Sequence, residues 1–245
     1  MAKKITPHIV IIALFAVIAL AFFYPVLQGK GIFQSDIAQY TGMAKERNDY
    51  RQTENKETYW TNSAFGGMPT YQLGAQYPND LVKQLDRTLR FLPRPADYLF
   101  LYFVGFYILL LVLKVDYKNA FLGAIAFGLS TYLIIILGAG HNSKAHAIAY
   151  FAPVLAGMMV FQRKYLWGGL LTAVALALEL SANHFQMTYY LLLLVLLLGA
   201  GLLYKAVKDK QLNDFAKATA VLVGAVVVSV LANATLLLTT SEYAD

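Results

Sequence analysis

The 245-residue sequence contains no cysteine, which excludes disulfides, thiol nucleophiles and cysteine-based metal sites. Charged residues are also scarce. They make up 14% of the chain, whereas a typical soluble domain has about 25%. Apolar residues reach 58% instead, and the mean hydropathy is +0.53. This combination predicts an integral membrane protein.

The net charge is +6, a sign that could indicate nucleic-acid binding. However, the basic residues form no stripe on a soluble domain, which is the usual footprint of a nucleic-acid-binding protein. In a membrane protein, basic residues mark cytoplasmic loops and contact anionic lipid surfaces. We therefore expect the lipid bilayer, and not nucleic acid, to be the partner of the basic residues.

Seven segments have the length and apolar character of a membrane-spanning helix, which needs about 20 mostly apolar residues. The first is longer than the apolar part of a signal peptide and has no A-x-A cleavage site, so we expect it to be retained. The sequence predicts an all-α polytopic protein with spans near 7–27, 96–113, 120–137, 147–161, 166–180, 187–204 and 218–238.

Lysine and arginine predict the orientation of these spans, because they are enriched in short cytoplasmic loops. The short loops on one side contain only Lys144. We therefore predict a cytoplasmic N-terminus, and an external location for the long loop 28–95, because long loops translocate largely regardless of charge. The basic residues on the predicted cytoplasmic side are Lys3, Lys4, Lys114, Lys118, Arg163, Lys164, Lys205, Lys208, Lys210 and Lys217.

The loop 28–95 is too long and too patterned to be a plain connector. Its beginning, from Asp36 to about Arg51, predicts a short helix. Its end, "NDLVKQLDRTLRFLPRP", has leucines on one helical face and cations elsewhere, a pattern typical of an amphipathic helix in the membrane interface. Between them, "YWTNSAFGGMPTYQ" is rich in aromatic residues, glycine and proline, and predicts a structured loop.

Polar and titratable residues collect in the segments predicted to be external. These segments are "FQSDIAQY", "GAGHNSKAHA", "SANHFQMTYY" and "TTSEYAD". Such groups are costly near a membrane and usually serve function. Several of them on one face could together form the wall of a site.

Each of these segments also has a plain structural interpretation. Ser35 and Asp36 before an apolar-periodic run form a helix N-cap signal. "HNSKAH" is either an ordinary polar turn or an anion site in which His141, Lys144 and His146 hold phosphate by charge-assisted hydrogen bonds. The two histidines also leave zinc binding open, although a third ligand is not evident, so a divalent metal remains an open question.

The segment "NHFQ" either caps a helix end or contributes polar groups to the site. Glu179 precedes Asn183 by four residues, and the two share a face if the helix continues. As the most deeply placed acid, Glu179 is expected either to pair with a neighbouring histidine or lysine or to stay protonated.

Four segments in the same order together resemble the YfhO-like bacterial membrane protein family, in its Bacteroidetes form. They are "FQSDIAQYTGMAKE", "YWTNSAFGGMPTYQ", "GHNSKAHAIAYFAPVLAGM" and "NHFQMTYY". The resemblance covers essentially all of the chain. Because family members are longer, residues 1–245 are similar to an N-terminal part of such a protein, which we expect to be inactive without the C-terminal remainder.

That family is similar to the GT-C glycosyltransferases, polytopic enzymes that take a sugar from a polyprenyl-phosphate donor at the outer membrane face. The resemblance implies that Asp36, soon after the first span, is the catalytic acid of the first loop and acts as a general base. It implies that the donor phosphate is bound by the cationic residues of the external segments, which are His141, Lys144, His146 and His184.

The resemblance further implies substrate contacts from external polar and aromatic residues, which are Asn142, Asn183, Gln186, Tyr59 and Trp60. Many such enzymes have a second acid in the next external loop, but "GAGHNSKAHA" contains none. Glu179 and Glu242 are therefore the candidates for a second acid, with Glu54 and Glu57 as further substitutes.

The expected partners are the bilayer, a polyprenyl-phosphate-linked sugar and an envelope glycan or lipid acceptor, and the expected location is the bacterial inner membrane. A transporter or flippase of lipid-linked or small anionic substrates is the alternative. It would place polar groups near the midplane and often contains inverted repeats, whereas here the polar groups lie at one face. A non-catalytic scaffold is the third class, and it would tolerate the loss of Asp36.

Overall fold

The computed structural model describes residues 2–161 and 164–244, and over these the chain is helical apart from loops and one short hairpin. Arg163, used above for the orientation, lies outside the described residues. The α-helices of the described part are α1 Ala2–Phe22, α2 Tyr24–Leu27, α3 Ser35–Met43, α4 Lys45–Glu54, α5 Leu81–Leu89, α6 Ala96–Val112, α7 Tyr117–Gly128, α8 Thr131–Ala139, α9 Asn142–Phe161, α10 Tyr165–Ser181, α11 Phe185–Lys208, α12 Leu212–Ala232 and α13 Ala234–Ala244.

Three of the described helices are long and apolar enough to cross a membrane, namely α1 over Ile5–Phe22, α11 and α12. The bent pair α7 and α8 is a fourth candidate, with 47° between its two halves. Helices α6 and α10 are apolar but have only 17 residues each. By length and composition, the described residues thus form an all-α membrane protein with three to four candidate spans, and not the predicted seven.

Two predicted spans are interrupted by breaks that apolar composition did not reveal. The segment 120–137 is divided at Leu129 and Ser130, where the extended backbone of Ser130 ends α7 and starts α8. The segment 218–238 is divided at Asn233, whose amide donates hydrogen bonds to the carbonyls of Ala177 and Ser229. A single polar side chain changes the mean hydropathy of a long apolar segment only slightly. Breaks of this kind are therefore hard to recognise from the sequence.

The core of the bundle surrounds α6. Phe15 of α1 packs against Phe103 of α6, with ring centroids 5.3 Å apart. Helix α9 packs against α6. Helix α10 packs so tightly on α9 that a Cβ added to Gly157 would lie 2.3 Å from Oγ1 of Thr172. Helix α12 adds to α10 through Ser229, whose hydroxyl donates to the carbonyl of Ala173 at 2.8 Å. Helix α11 lies beside α9 and α12, and its leucines are largely exposed.

The loop 28–95 is folded throughout most of its length. Helices α3 and α4 occupy the beginning. The middle forms an antiparallel hairpin of β1 Trp60–Thr61 with β2 Met68–Pro69, followed by a 3₁₀ helix over Thr70–Leu73.

One carboxylate organises this middle part. Oε2 of Glu46 accepts hydrogen bonds from the hydroxyl of Thr61 at 2.6 Å and from the amides of Asn62 and Ser63 at 2.9 and 2.8 Å. The hydrogen bond from Thr61 is the largest influence on Glu46 and lowers its pKa. Burial opposes this lowering, and the hydrogen bonds from the two amides add to it.

Helix α5 has its leucines on the outside and its charged face on the inside. Leu81, Leu85 and Leu89 are 74%, 41% and 37% exposed, whereas Asp86 is 3% exposed. Asp80 caps the helix by accepting a hydrogen bond from the Lys83 amide at 2.9 Å. This arrangement is the reverse of an amphipathic helix in a soluble protein, whose apolar face turns toward the core.

Candidate functional site

The carboxylate of Asp36 contacts the imidazole of His141, and this contact joins the first loop to the bundle. Nδ1 of His141 lies 2.6 Å from Oδ2 of Asp36, and both side chains are 44% exposed. Asp36 is in the first turn of α3, and His141 is in the turn between α8 and α9. The residues are 105 positions apart, so only the folded chain brings this acid and this base together.

The local geometry around Gly140 explains how the two residues meet. Nε2 of Gln34 donates a hydrogen bond to the carbonyl of Leu137 at 2.6 Å, which ties the start of α3 to the end of α8. Gly140 has a φ of +89°, and a Cβ at this position would lie 2.7 Å from Cβ of Gln34. Glycine therefore permits both the left-handed turn and the close approach of the loop.

Asp36 does not cap α3. The N-cap position is Gln34, and its side chain makes no capping hydrogen bond. Asp36 instead occupies the first turn, where the helix dipole favours a negative charge. The capping interpretation of Asp36 is thus wrong.

Lys144 and His184 belong to the same end of the bundle as His141. Burial lowers the pKa of His184; a backbone hydrogen bond opposes this, and electrostatic repulsion from Lys144 and His141 adds to the lowering. Lys144 is partly buried in the first turn of α9 and has no ion-pair partner among the described residues. The segment "HNSKAH" is thus largely helical, and the polar-turn interpretation is wrong for Lys144 and His146.

Three buried polar atoms at this end have no hydrogen-bond partner in the described part of the chain. They are Oδ1 of Asn142, Oδ1 of Asn183 and Nδ1 of His184. Asn183 also has a left-handed backbone with a φ of 54°, and His184, the residue before α11, makes no side-chain capping bond. Buried polar atoms are normally paired, because leaving one unpaired costs about 1–3 kcal/mol. The hydrogen-bonding capacity of these three atoms is therefore unused within the described part of the chain.

The fourth cationic residue predicted for this site, His146, lies in a different cluster. Its Nε2 is 2.5 Å from Oδ1 of Asp86 on α5. The hydroxyl of Tyr150 donates to the same oxygen at 2.9 Å. Nη2 and Nε of Arg90 donate to the other oxygen of Asp86 at 2.6 and 2.9 Å. The structure therefore places His146 in a buried network with Asp86, whereas His141 contacts Asp36.

Arg90 extends this network to α6, because its Nη1 also donates to Oδ2 of Asp97 at 3.2 Å. Burial raises the pKa of Asp86, but the hydrogen bond from His146 and the charge of Arg90 outweigh it and hold the pKa well below its usual range. The network thus keeps Asp86 ionised and bonds α5 to both α6 and α9.

A cavity of about 570 Å³ opens beside the network, and we call it the cationic cavity. Burial lowers the pKa of Lys83 at its wall, although the nearby carboxylate of Asp80 opposes this. The cations that line the cavity are Lys83, Arg87, Arg90 and Arg94, and its acids are Asp86 and Asp97.

This second cluster is not among the predicted site residues. The signal was present in α5, where Lys83, Asp86, Arg87 and Arg90 recur every three or four residues and so share one helical face. The sequence predicted only that these cations lie away from the leucine face of an interfacial helix. Tyr150 and Asp97 carry no comparable signal, since both lie within mostly apolar segments.

The remaining candidate residues are distributed around these two clusters. Glu179 is fully buried and accepts hydrogen bonds from the hydroxyl of Thr188 at 3.0 and 3.2 Å, so its partner is neither histidine nor lysine. Helix α10 ends at Ser181, and Asn183 therefore does not continue its face. Gln186 is exposed and donates to the hydroxyl of Tyr190 at 2.9 Å. Glu242 is exposed on α13.

The two aromatic candidates lie on the hairpin of the first loop. Tyr59 is 48% exposed and stacks on Tyr77, with centroids 5.8 Å apart. Trp60 is 53% exposed and donates to Oδ1 of Asn62 at 3.1 Å. Among the described residues, neither shares a hydrogen bond or a ring contact with Asp36.

His141 and His146, which left zinc open, bind to different carboxylates and do not converge. Within residues 2–161 and 164–244, no group of three histidine, aspartate or glutamate side chains has the arrangement of a metal site.

Comparison of the chain with protein-family models, with curated proteins and with solved structures finds no match.

Proposed function

We propose that the chain is the N-terminal part of a membrane glycosyltransferase of the GT-C type, similar to the YfhO-like family. The enzyme would move a sugar from a polyprenyl-phosphate donor to an envelope glycan or lipid acceptor, at the outer face of the bacterial inner membrane. The observation that carries this proposal is the 2.6 Å contact between Asp36 and His141.

In this proposal the acceptor hydroxyl loses its proton to the Asp36–His141 pair as its oxygen attacks the anomeric carbon of the sugar. The bond from that carbon to the donor phosphate oxygen breaks, and polyprenyl phosphate leaves as an anion. Positioned general bases contribute about 10²–10⁴-fold to rate. Lys144 and His184 would stabilise the negative charge that develops on the leaving phosphate, which is usually the larger effect.

The proton has two destinations within the pair. A carboxylate accepts hydrogen bonds only, so Nδ1 of His141 must carry a proton when it faces Asp36. Neutral His141 then has a free lone pair on Nε2, and Asp36 has a second oxygen. The base is either Asp36 itself or His141 oriented by Asp36.

The proposed topology has seven crossings, with α6, α7–α8, α9 and α10 added to α1, α11 and α12. A 17-residue helix rises about 1.5 Å per residue and measures about 25 Å, close to the apolar thickness of a bilayer at about 30 Å. Helix α5 would lie in the external interface, as its exposed leucine face favours. The N-terminus would be cytoplasmic.

The native absence of cysteine allows a clean test of this topology. Lys30→Cys lies in the first loop, and Lys118→Cys lies in the first turn of α7, and both positions are exposed. A membrane-impermeant maleimide should label Lys30→Cys in intact cells and Lys118→Cys only after lysis. Labelling of both in intact cells would contradict the orientation.

The test of activity uses the full-length protein in proteoliposomes with polyprenyl-phosphate-linked sugars and an envelope extract as the source of acceptor. Loss of sugar from the lipid is followed for wild type and for Asp36→Asn. We expect transfer by wild type and loss of transfer in the variant. Asp49→Asn is the matched control, because Asp49 is an exposed carboxylate of the same loop that pairs with Lys45.

Wild-type rates in Asp36→Asn would remove Asp36 from the base role. No transfer from any donor by a correctly folded wild type would contradict the enzyme proposal.

A transporter or flippase is the second candidate, and the broken helix α7–α8 favours it, because transporters bind substrates at interrupted helices. The buried acid Glu179, bonded to Thr188, is a further polar group within the helices. In the same proteoliposomes, lipid-linked sugar that changes leaflet without being consumed would support this candidate over the enzyme.

A further inference from the structure

We infer that the cationic cavity binds a phosphate monoester group, at a site separate from the Asp36–His141 pair. The inference stands on the charges and contacts of the cavity and does not depend on the proposed glycosyl transfer. The cavity volume of about 570 Å³ falls in the usual range for ligand sites, which is roughly 300–1,000 Å³.

The cavity has more positive charge than its own acids neutralise. Asp86 and Asp97 both accept hydrogen bonds from Arg90, at 2.6 and 3.2 Å, so one buried guanidinium engages both carboxylates. The four cations of the wall outnumber these two carboxylates, although Arg94 also lies 3.9 Å from Asp97. A concave site lined by one sign of charge concentrates ions of the other sign.

Among the described residues, the side chains of Lys83 and Arg87 make no hydrogen bond to a carboxylate. The nearest acid to Lys83 is Asp80, at 3.9 Å, and this contact is too long for a hydrogen bond. Arg87 is exposed and has no ion-pair partner among the described residues. Both also line a second cavity of about 270 Å³.

The chemistry of these two side chains favours phosphate over other anions. A phosphate monoester has about −1.5 to −2 charge near pH 7 and three strong acceptor oxygens. Arginine presents a planar fork that matches such oxyanions, and lysine adds a compact charge with three donors.

The orientation of α5 favours a lipid as the source of the phosphate. Its charged face lines the cavity, while Leu81 on the opposite side is 74% exposed and Phe91, just after the helix, is 64% exposed. A helix with its apolar face outward lies at headgroup depth, so the cavity would meet the headgroups of the surrounding lipids. Soluble phosphate would present the same chemistry, and the test separates the two sources.

The test is a binding titration of the full-length protein in a neutral maltoside detergent. The probes are a short-chain phosphatidic acid, diacylglycerol with the same chains, and inorganic phosphate. We expect wild type to bind phosphatidic acid and not diacylglycerol. The double variant Lys83→Gln, Arg87→Gln should bind phosphatidic acid at least about tenfold more weakly, because charged hydrogen bonds contribute about 1.5–3 kcal/mol each.

The control is the double variant Lys30→Gln, Lys118→Gln, which removes the same charge from exposed positions outside the cavity and should bind as wild type does. If the Lys83 substitution impairs folding, Arg87→Gln alone serves, because that side chain is exposed and unpaired. Binding of inorganic phosphate with the same dependence on Lys83 and Arg87 would support recognition of the phosphate group itself. Binding of phosphatidic acid alone would identify the membrane as its source.

Equal affinity in wild type and the cavity variants would overturn the inference, as would failure of folded wild type to bind either phosphate probe. Because binding is measured without turnover, this failure is distinguishable from failure of the proposed enzyme activity.

Discussion

Nε2 of His146 lies 2.5 Å from Oδ1 of Asp86, and this contact bonds a helix of the first loop to a helix of the bundle. Asp86 is 3% exposed and His146 is 8% exposed. A buried carboxylate needs such partners, because an unpaired buried charge is strongly destabilising. The position of α5 over the bundle therefore depends on this network.

We expect His146→Leu to destabilise the protein by about 2 kcal/mol, because a buried hydrogen bond to a charged group contributes about 1.5–3 kcal/mol. Tyr150 and Arg90 would still bond Asp86, which limits the loss. The measurement is chemical unfolding in mixed micelles. His146→Gln, which retains an N–H donor, should recover part of the stability, and equal stability of wild type and His146→Leu would show that the contact contributes nothing.

Stability should fall in acid because of Asp86. The pKa of Asp86 is lowered in the folded protein, whereas in the unfolded chain it should be near its ordinary value of about 3.9. The unfolded chain therefore binds the proton first, so the contribution is fully present above the ordinary pKa and is lost as the pH falls toward the folded one.

Asp86→Asn tests this pH dependence. The difference in unfolding free energy between wild type and the variant should be constant at neutral pH and should narrow below about pH 4–5. A difference that does not change with pH would mean that the ionisation of Asp86 is not linked to folding.

Substitutions at the two members of the Asp36–His141 pair should lower the rate of sugar transfer by different amounts. Asp36→Asn should lower the rate by about 10²–10⁴-fold if the pair is the general base. His141→Gln should lose less if Asp36 is the base, because the glutamine amide can still donate to the carboxylate. Equal losses, with loss of the acidic limb of the pH–rate profile in His141→Gln, would identify His141 as the proton acceptor.

Gly157→Ala should destabilise the bundle by about 1–3 kcal/mol, the usual cost of overpacking. The new Cβ would lie 2.3 Å from Oγ1 and 2.8 Å from the backbone nitrogen of Thr172, so α9 and α10 would have to separate. Gly224→Ala on α12 is the control, because a Cβ there meets nothing within 4 Å. Similar thermal midpoints for the two variants would contradict tight packing at Gly157.

The sequence by itself determined that the chain is helical and apolar enough to reside in a membrane. It also located the polar segments that flank the helices. These properties follow from local composition and periodicity, which a run of residues carries wherever it packs. The beginning of the loop 28–95 and the amphipathic helix α5 were predictable for the same reason.

Only the tertiary structure decided which polar groups meet. Asp36 and His141 are brought together by a left-handed glycine turn and by Gln34, and Asp86 with His146 by the docking of α5. The breaks at Ser130 and Asn233 also depend on structure beyond composition. The charged face of α5 points inward because its partners lie on α6 and α9. A helical pattern defines two faces of a helix but does not define the neighbours that each face contacts.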